Sequence, residues 1–122
     1  MKAFMAAIGL LAALTSLAFF TSYVFSQKAD ALANEAIALN DMMPNEREAA
    51  AQKVSDAWKN NRFLFSLTIN HTELDVIENH LSRLNTAAKI QNGDEYFIAV
   101  SELTATLTHI KELCKVSWDN IL

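Results

Sequence analysis

The N-terminal stretch from Ala3 to Phe25 carries no charged side chain. As an α-helix with a rise of 1.5 Å per residue, this stretch spans roughly 34 Å. The hydrocarbon core of a bilayer is about 30 Å thick, so the length suits a transmembrane helix. We therefore expect residues 3–25 to contact membrane lipid, and the rest of the chain to form one small domain beside the membrane.

The residues flanking this stretch favour one orientation. Lys2 and the free amino terminus favour a cytoplasmic N-terminus, because positive charge is retained on that side. The chain then divides into a transmembrane anchor, residues 1–26, and an extracytoplasmic helical domain, residues 27–122. We expect a single-pass protein of the cell membrane.

A cleaved signal peptide is the alternative explanation of the same stretch. Val24 and Ser26 are small residues suited to cleavage before Gln27, and the domain would then be periplasmic or secreted. The apolar stretch is longer than the core of a signal peptide, and bulky aromatic residues surround the cleavage position. These features favour an uncleaved signal-anchor.

Composition excludes several other classes of protein. The chain has 10 Lys and Arg against 14 Asp and Glu, a net charge of −4, so nucleic acid is not an expected partner. Two Gly and one Pro are too few for the tight turns of an all-β fold. The one cysteine, Cys114, excludes an internal disulfide and a multi-cysteine metal centre.

Apolar residues recur at helical spacing along the domain, which predicts an all-α fold. The last two stripes follow the a/d pattern of a coiled coil and are expected to pack antiparallel. We predict a small antiparallel bundle of three to four helices after the membrane helix. The stripes are Leu32, Ala36, Leu39 and Met43; Ala50, Val54, Ala57 and Trp58; Leu67, Asn70, Leu74, Ile77, Leu81, Leu84 and Ala88; and Tyr96, Val100, Leu103, Leu107, Ile110 and Cys114.

Turn residues suggest where the helices end. Gly93 suits the left-handed position after one helix, and Asp94 suits the cap of the next. A helix that folds straight back from Pro44 would reach the membrane near residue 60. We therefore expect the chain to reverse at Asn60–Asn61, the alternative being a second helix that leans away from the membrane normal.

Asn70 is the one polar residue of its stripe. An unpaired amide in a dry interface costs about 1–3 kcal/mol, so we expect Asn70 to lie at a partly hydrated end of the bundle. On that basis Asn70→Leu should be neutral or stabilising.

Several short motifs resemble a known group of bacterial proteins. The resemblance covers nearly the whole chain and is to domain-of-unknown-function family 4363, short proteins with an N-terminal membrane helix. The family has no assigned activity; its members resemble companions of multi-spanning membrane proteins, which implies an interaction role. The motifs are Trp58, the segment HTELDVIENHLSRL at 71–84, Glu102-Leu103, His109-Ile110 and the ending Asn120-Ile121-Leu122.

One polar stripe has the residue types of a metal site. His71, Asp75 and Glu78 are spaced by four and three residues, so they share a helix face, and His109 of the last helix would supply a fourth ligand. The alternative is a polar edge beside the core, with a His71–Asp75 pair and Arg83 paired with a carboxylate. We favour this alternative, because no His-Glu-x-x-His or repeated Glu-x-x-His motif is present. No metal or other cofactor is predicted.

We find no pattern typical of catalysis. Cys114 lies at a stripe position without a histidine one turn away, and no glycine-rich phosphate loop is present. The chain is therefore not expected to be an enzyme.

Four aromatic residues of the domain are candidates for either the core or a partner contact: Trp58, Phe63, Phe65 and Trp118. For Trp58 we favour the core, whereas the tail around Trp118 has no stripe to bury it. We expect a membrane-anchored accessory or scaffold subunit that binds another membrane protein or a second copy of itself. The alternative is an extracytoplasmic bundle that senses a metal or small ligand through His71, Asp75 and Glu78.

Overall fold

Four α-helices make up most of the chain in a computed structural model, which describes the backbone of residues 1–121 and the side chains of residues 1–113. The helices are α1 (Lys2–Ala38), α2 (Arg47–Ser66), α3 (His71–Lys89) and α4 (Gly93–Ile121). A 3₁₀ turn, Leu39–Asp41, follows α1. The described residues contain no strand, so the predicted all-α bundle with a long apolar N-terminal helix is confirmed.

The helices are arranged as an antiparallel ring. Each helix packs against its neighbours in sequence, and α4 closes the ring against α1. The α1–α4 and α3–α4 interfaces are the most extensive, whereas α1 and α2 touch over a smaller area. The first and last helices are therefore central to the packing.

The predicted stripes form or border the core, except that Met43, Leu67 and Asn70 are exposed. Met43 is 61% exposed because α1 and its 3₁₀ turn end before it, and the backbone of Met42 is extended. Leu67 is 64% exposed because it caps α2 and does not belong to α3. The side chain of Cys114 lies outside the described residues. The buried members include Leu32, Ala36, Leu39, Val54, Trp58, Leu74, Ile77, Leu81, Leu84, Ala88, Tyr96, Val100, Leu103, Leu107 and Ile110.

The expected reversal at Asn60–Asn61 is wrong, because α2 continues through both residues. Asn61 Nδ2 donates to the carbonyl oxygen of Ala57 at 2.8 Å, so this side chain is satisfied on its own helix. The chain instead reverses between Leu67 and Asn70. Asn70 has an extended backbone and caps α3, its Oδ1 accepting from the N–H of Glu73 at 3.0 Å.

The α3–α4 turn also differs from the sequence-based prediction. Gln91, not Gly93, has the left-handed backbone, with φ of 57°. The N–H groups of Gln91 and Asn92 donate to Ala88 and Ala87, the bond pattern of a Schellman C-terminus. Asn92, not Asp94, caps α4, since its Oδ1 accepts from the N–H of Glu95 at 3.2 Å. The left-handed residue after α3 and the N-cap of α4 thus each lie two residues earlier than predicted.

The long helix α1 has two parts with different environments. Every residue from 1 to 20 is exposed, and this part of the helix is long and apolar enough to cross a membrane. From Phe25 onward one face is buried in the bundle by Phe25, Ala29, Leu32, Ala33 and Ala36. A single unbroken helix therefore connects the apolar exposed segment to the core.

Candidate functional site

The base of the bundle, defined here as residues 63–71, is the end nearest the exposed part of α1. The rings of Phe25 and Phe65 lie 5.9 Å apart between centroids, which fixes the end of α2 beside residue 25 of α1. Thr68 of the α2–α3 connection lines an open cleft of about 340 Å³ together with α1. The α1 residues of this cleft are Leu14, Leu17, Ala18, Thr21, Ser22 and Phe25.

The aromatic candidates divide between the core and the surface of this base. Trp58 and Phe65 are buried and stack with their ring centroids 5.3 Å apart. Phe63 is 76% exposed, and Leu67, one helical turn later, is 64% exposed. Trp118 lies outside the described side chains. The base therefore presents two large apolar side chains to its surroundings.

A groove of about 550 Å³ runs between α2 and α3. Across it Asn85 Nδ2 donates to Ser55 Oγ at 2.6 Å, and Arg62 Nε donates to Glu78 Oε1 at 2.5 Å. The indole N–H of Trp58, which also lines the groove, is buried and has no hydrogen-bond partner among the described residues. The groove is thus bordered by a residue whose buried donor has no partner in the described part of the chain.

The structure does not bring together the candidate metal ligands that the sequence offered. His71, Asp75 and His109 are exposed, and the Glu78 carboxylate is occupied by Arg62. Within the described residues, no three His, Cys, Asp or Glu side chains lie close enough together to hold a metal ion. The stripe itself is present on α3, but its members face solvent and an arginine.

The predicted pairing of Arg83 with a carboxylate is confirmed across the α3–α4 interface. Its guanidinium lies 3.0 Å from Glu102 and 3.6 Å from Glu95. His80, which the sequence analysis did not select, lies 3.3 Å from the same Glu102 carboxylate. His80 and Arg83 are three residues apart, so they lie on the same face of α3. This spacing is the sequence feature that could have identified His80.

Two polar contacts hold α4 against α1 and the 3₁₀ turn that follows it. The Tyr96 hydroxyl donates to the carbonyl oxygen of Leu39 at 2.7 Å. Burial raises the pKa of Tyr96, and the Arg47 guanidinium beside its ring partly opposes that shift. Nearer the base, Lys111 Nζ donates to Asp30 Oδ1 at 2.7 Å, and this hydrogen bond raises the pKa of Lys111.

Comparison with known proteins identifies the family and gives no activity. No curated protein and no solved structure matches this chain. The family match covers residues 19–121, from the last part of the apolar segment through the whole bundle. The chain therefore belongs to the family described as Domain of unknown function (DUF4363).

Proposed function

We propose that this protein is a membrane-anchored helical interaction protein, an accessory or scaffold subunit whose bundle lies outside the cytoplasm. The observation that carries this proposal is the two-part helix α1, which is exposed on all sides over residues 1–20 and has one face buried in the core from Phe25 onward. A long apolar helix exposed on all sides is unfavourable in water and stable in a bilayer. Residues 2–20 span about 28 Å as a helix, close to the thickness of the hydrocarbon core.

The packing of Phe25 supports retention of the anchor. Cleavage before Gln27 would remove this side chain, which is 2% exposed and contacts Phe65. Because the bundle needs a residue on the N-terminal side of the cleavage position, an uncleaved anchor explains the structure better than a signal peptide.

The far end of the bundle offers a surface for a protein partner. Ile90, Phe97 and Ile98 are 66%, 42% and 45% exposed, and they lie near the α3–α4 turn. Aromatic and large apolar residues are enriched at the centres of protein interfaces. This surface supports binding to another membrane protein or to a second copy of the chain.

Co-purification in mild detergent tests the interaction role. The full chain should recover a stoichiometric partner, or a dimer if the partner is a second copy. Ile90→Ser combined with Ile98→Ser should lose that partner, whereas Ala105→Ser, an exposed change elsewhere on α4, should keep it. Recovery of the unaltered chain only as a solitary monomer would contradict the proposal.

The α2–α3 groove supports a second candidate function, the sensing of a small ligand. It is lined by Trp58, whose indole N–H has no partner among the side chains that the structure describes, and by one member of the candidate polar stripe, Glu78. A ligand that binds only the folded state raises the melting temperature by mass action. Thermal scans with a panel of small carboxylic acids should show a shift that Trp58→Phe abolishes; no shift with any acid contradicts this role.

A further inference from the structure

We propose that the base of the bundle is itself seated in the interfacial layer of the bilayer, with Phe63 and Leu67 inserted among the phospholipid headgroups. The ligand of this surface is a lipid bilayer, and the bundle is then attached to the membrane at a second point besides α1. The inference rests on the proposed membrane anchoring and specifies how the bundle is held.

The position of the base supports this contact. The Phe25–Phe65 ring contact sets the end of α2 only a few residues above the exposed part of α1. The connection that follows lies lower still, because Thr68 shares a cleft with Leu17 and Thr21. The base therefore lies at the level where α1 would enter the hydrocarbon.

The backbone of α4 reaches the same level. Lys111 pairs with Asp30, and α4 continues to Ile121, about 15 Å further toward the exposed part of α1. Two segments, the α2–α3 connection and the end of α4, thus approach the membrane boundary. A bundle with this geometry stands directly on the bilayer surface.

The chemistry of the base fits a lipid interface. Phe63 and Leu67 are the exposed large apolar residues of the connection region, and Ile69 beside them is 8% exposed and fixes the loop to the core. Lys59, one turn before Phe63, is exposed and forms no ion pair among the described residues, so its ammonium is available to lipid phosphate. On α1, Tyr23 is 63% exposed at the same boundary, where tyrosine is favoured.

The opposite end of the bundle provides a matched control. Met43 is 61% exposed in a connection, as Leu67 is at 64%, but it follows the 3₁₀ turn after α1 at the far end. The Tyr96–Leu39 hydrogen bond lies at that end. Along the axis of α1, Leu39 is about 28 Å from residue 20. The two side chains are therefore alike in exposure and type and differ in distance from the membrane.

Depth-dependent fluorescence quenching tests the inference on the full chain in phosphatidylcholine vesicles. In a Cys114→Ser background, Leu11→Cys, Leu67→Cys and Met43→Cys are each labelled with bimane. Nitroxide lipids labelled at the headgroup should quench Leu67→Cys several fold more than Met43→Cys, which only aqueous iodide should quench. Nitroxide placed deep in the acyl chain should quench Leu11→Cys most strongly.

The outcomes separate this inference from the anchoring that it assumes. If Leu11→Cys is quenched by lipid while Leu67→Cys is open to iodide, the anchor stands and the seated base is wrong. If iodide reaches all three labels, the anchoring itself fails. If Leu67→Cys is shielded from both quenchers, protein covers the base and the lipid contact is wrong.

Adding Phe63→Ser, a change at an exposed position, should raise iodide access to Leu67→Cys several fold; unchanged access would also overturn the inference.

Discussion

At the scale of single residues, Asn70 has a defined structural role as the cap of α3. Its side chain satisfies the N–H of Glu73, so Asn70→Leu should lower the free energy of unfolding by about 0.5–2 kcal/mol. Asn70→Ser keeps an acceptor and should lose much less. Urea unfolding in mild detergent measures both; a neutral or stabilising Asn70→Leu would favour the sequence-based expectation.

The α3–α4 turn gives a second prediction at this scale. Gln91 holds a left-handed backbone, which costs a side-chain-bearing residue about 1–2 kcal/mol relative to glycine, so Gln91→Gly should stabilise the protein by about 1 kcal/mol. Gly93→Ala should be tolerated, because its added Cβ would meet only Arg47 at 3.7 Å. A strong loss on Gly93→Ala in thermal unfolding would instead support the left-handed Gly93 that the sequence predicted.

These residues show why capping roles were harder to predict than burial. Asn92, Gly93 and Asp94 are consecutive residues that all favour helix ends, so composition alone does not choose between them. The choice depends on the start of α4 that places Tyr96 in the core. The apolar stripe of α3 needs no such tertiary information, and its members from Leu74 to Ala88 were predicted correctly.

At the scale of the element, the packing of α3 contributes to stability mainly through the buried residues in the middle of its apolar stripe. Ile77 is 0% and Leu81 5% exposed, so each change to alanine should cost about 2–5 kcal/mol. Val76→Ala, on the same helix at 36% exposure, is the matched control and should cost much less. Chemical unfolding of the three variants measures the difference; a loss for Val76→Ala as large as that for Ile77→Ala would contradict this dependence on burial.

Tyr96 gives the α1–α4 pair a predictable dependence on pH. Because burial raises its pKa above the unfolded value of 10.0, its contribution to stability is fully present below about pH 10 and is lost as pH rises further. Tyr96→Phe should lower stability at pH 7 by removing the bond to Leu39, and should flatten the alkaline decline. Parallel alkaline slopes in urea melts of the two proteins would contradict this assignment.

The extent of α2 shows the limit of sequence reasoning about elements. Asn60 and Asn61 have low helix propensity, which suggested a break, but Trp58 and Phe65 on either side of them are both buried. Tertiary burial of these two rings outweighs the local preference, so the helix continues. The groove beside Trp58 was likewise not predictable, because it depends on how α2 and α3 pack.

At the scale of the whole molecule, the position of Phe25 predicts which N-terminal truncation the bundle tolerates. A chain that begins at Thr21 keeps Phe25 and should have a free energy of unfolding close to that of the full chain. A chain that begins at Gln27 loses it and should be destabilised by about 3–5 kcal/mol, as Phe25→Ala in the full chain should be. Equal stability of the two truncated chains would instead support a signal peptide that is cleaved before Gln27.

The closure of the ring by α1 and α4 has a consequence for synthesis of the protein. The most extensive interfaces involve α4, which follows α1 and α3 along the chain, so parts of the apolar faces of α1 and α3 stay uncovered until α4 is synthesised. Contacts between the two ends of a chain form slowly, and uncovered apolar faces promote aggregation in the meantime. If α1 is held in the bilayer as proposed, the incomplete bundle stays at the membrane surface until α4 packs against α1 and α3, so its exposure to aggregation ends only with the synthesis of α4.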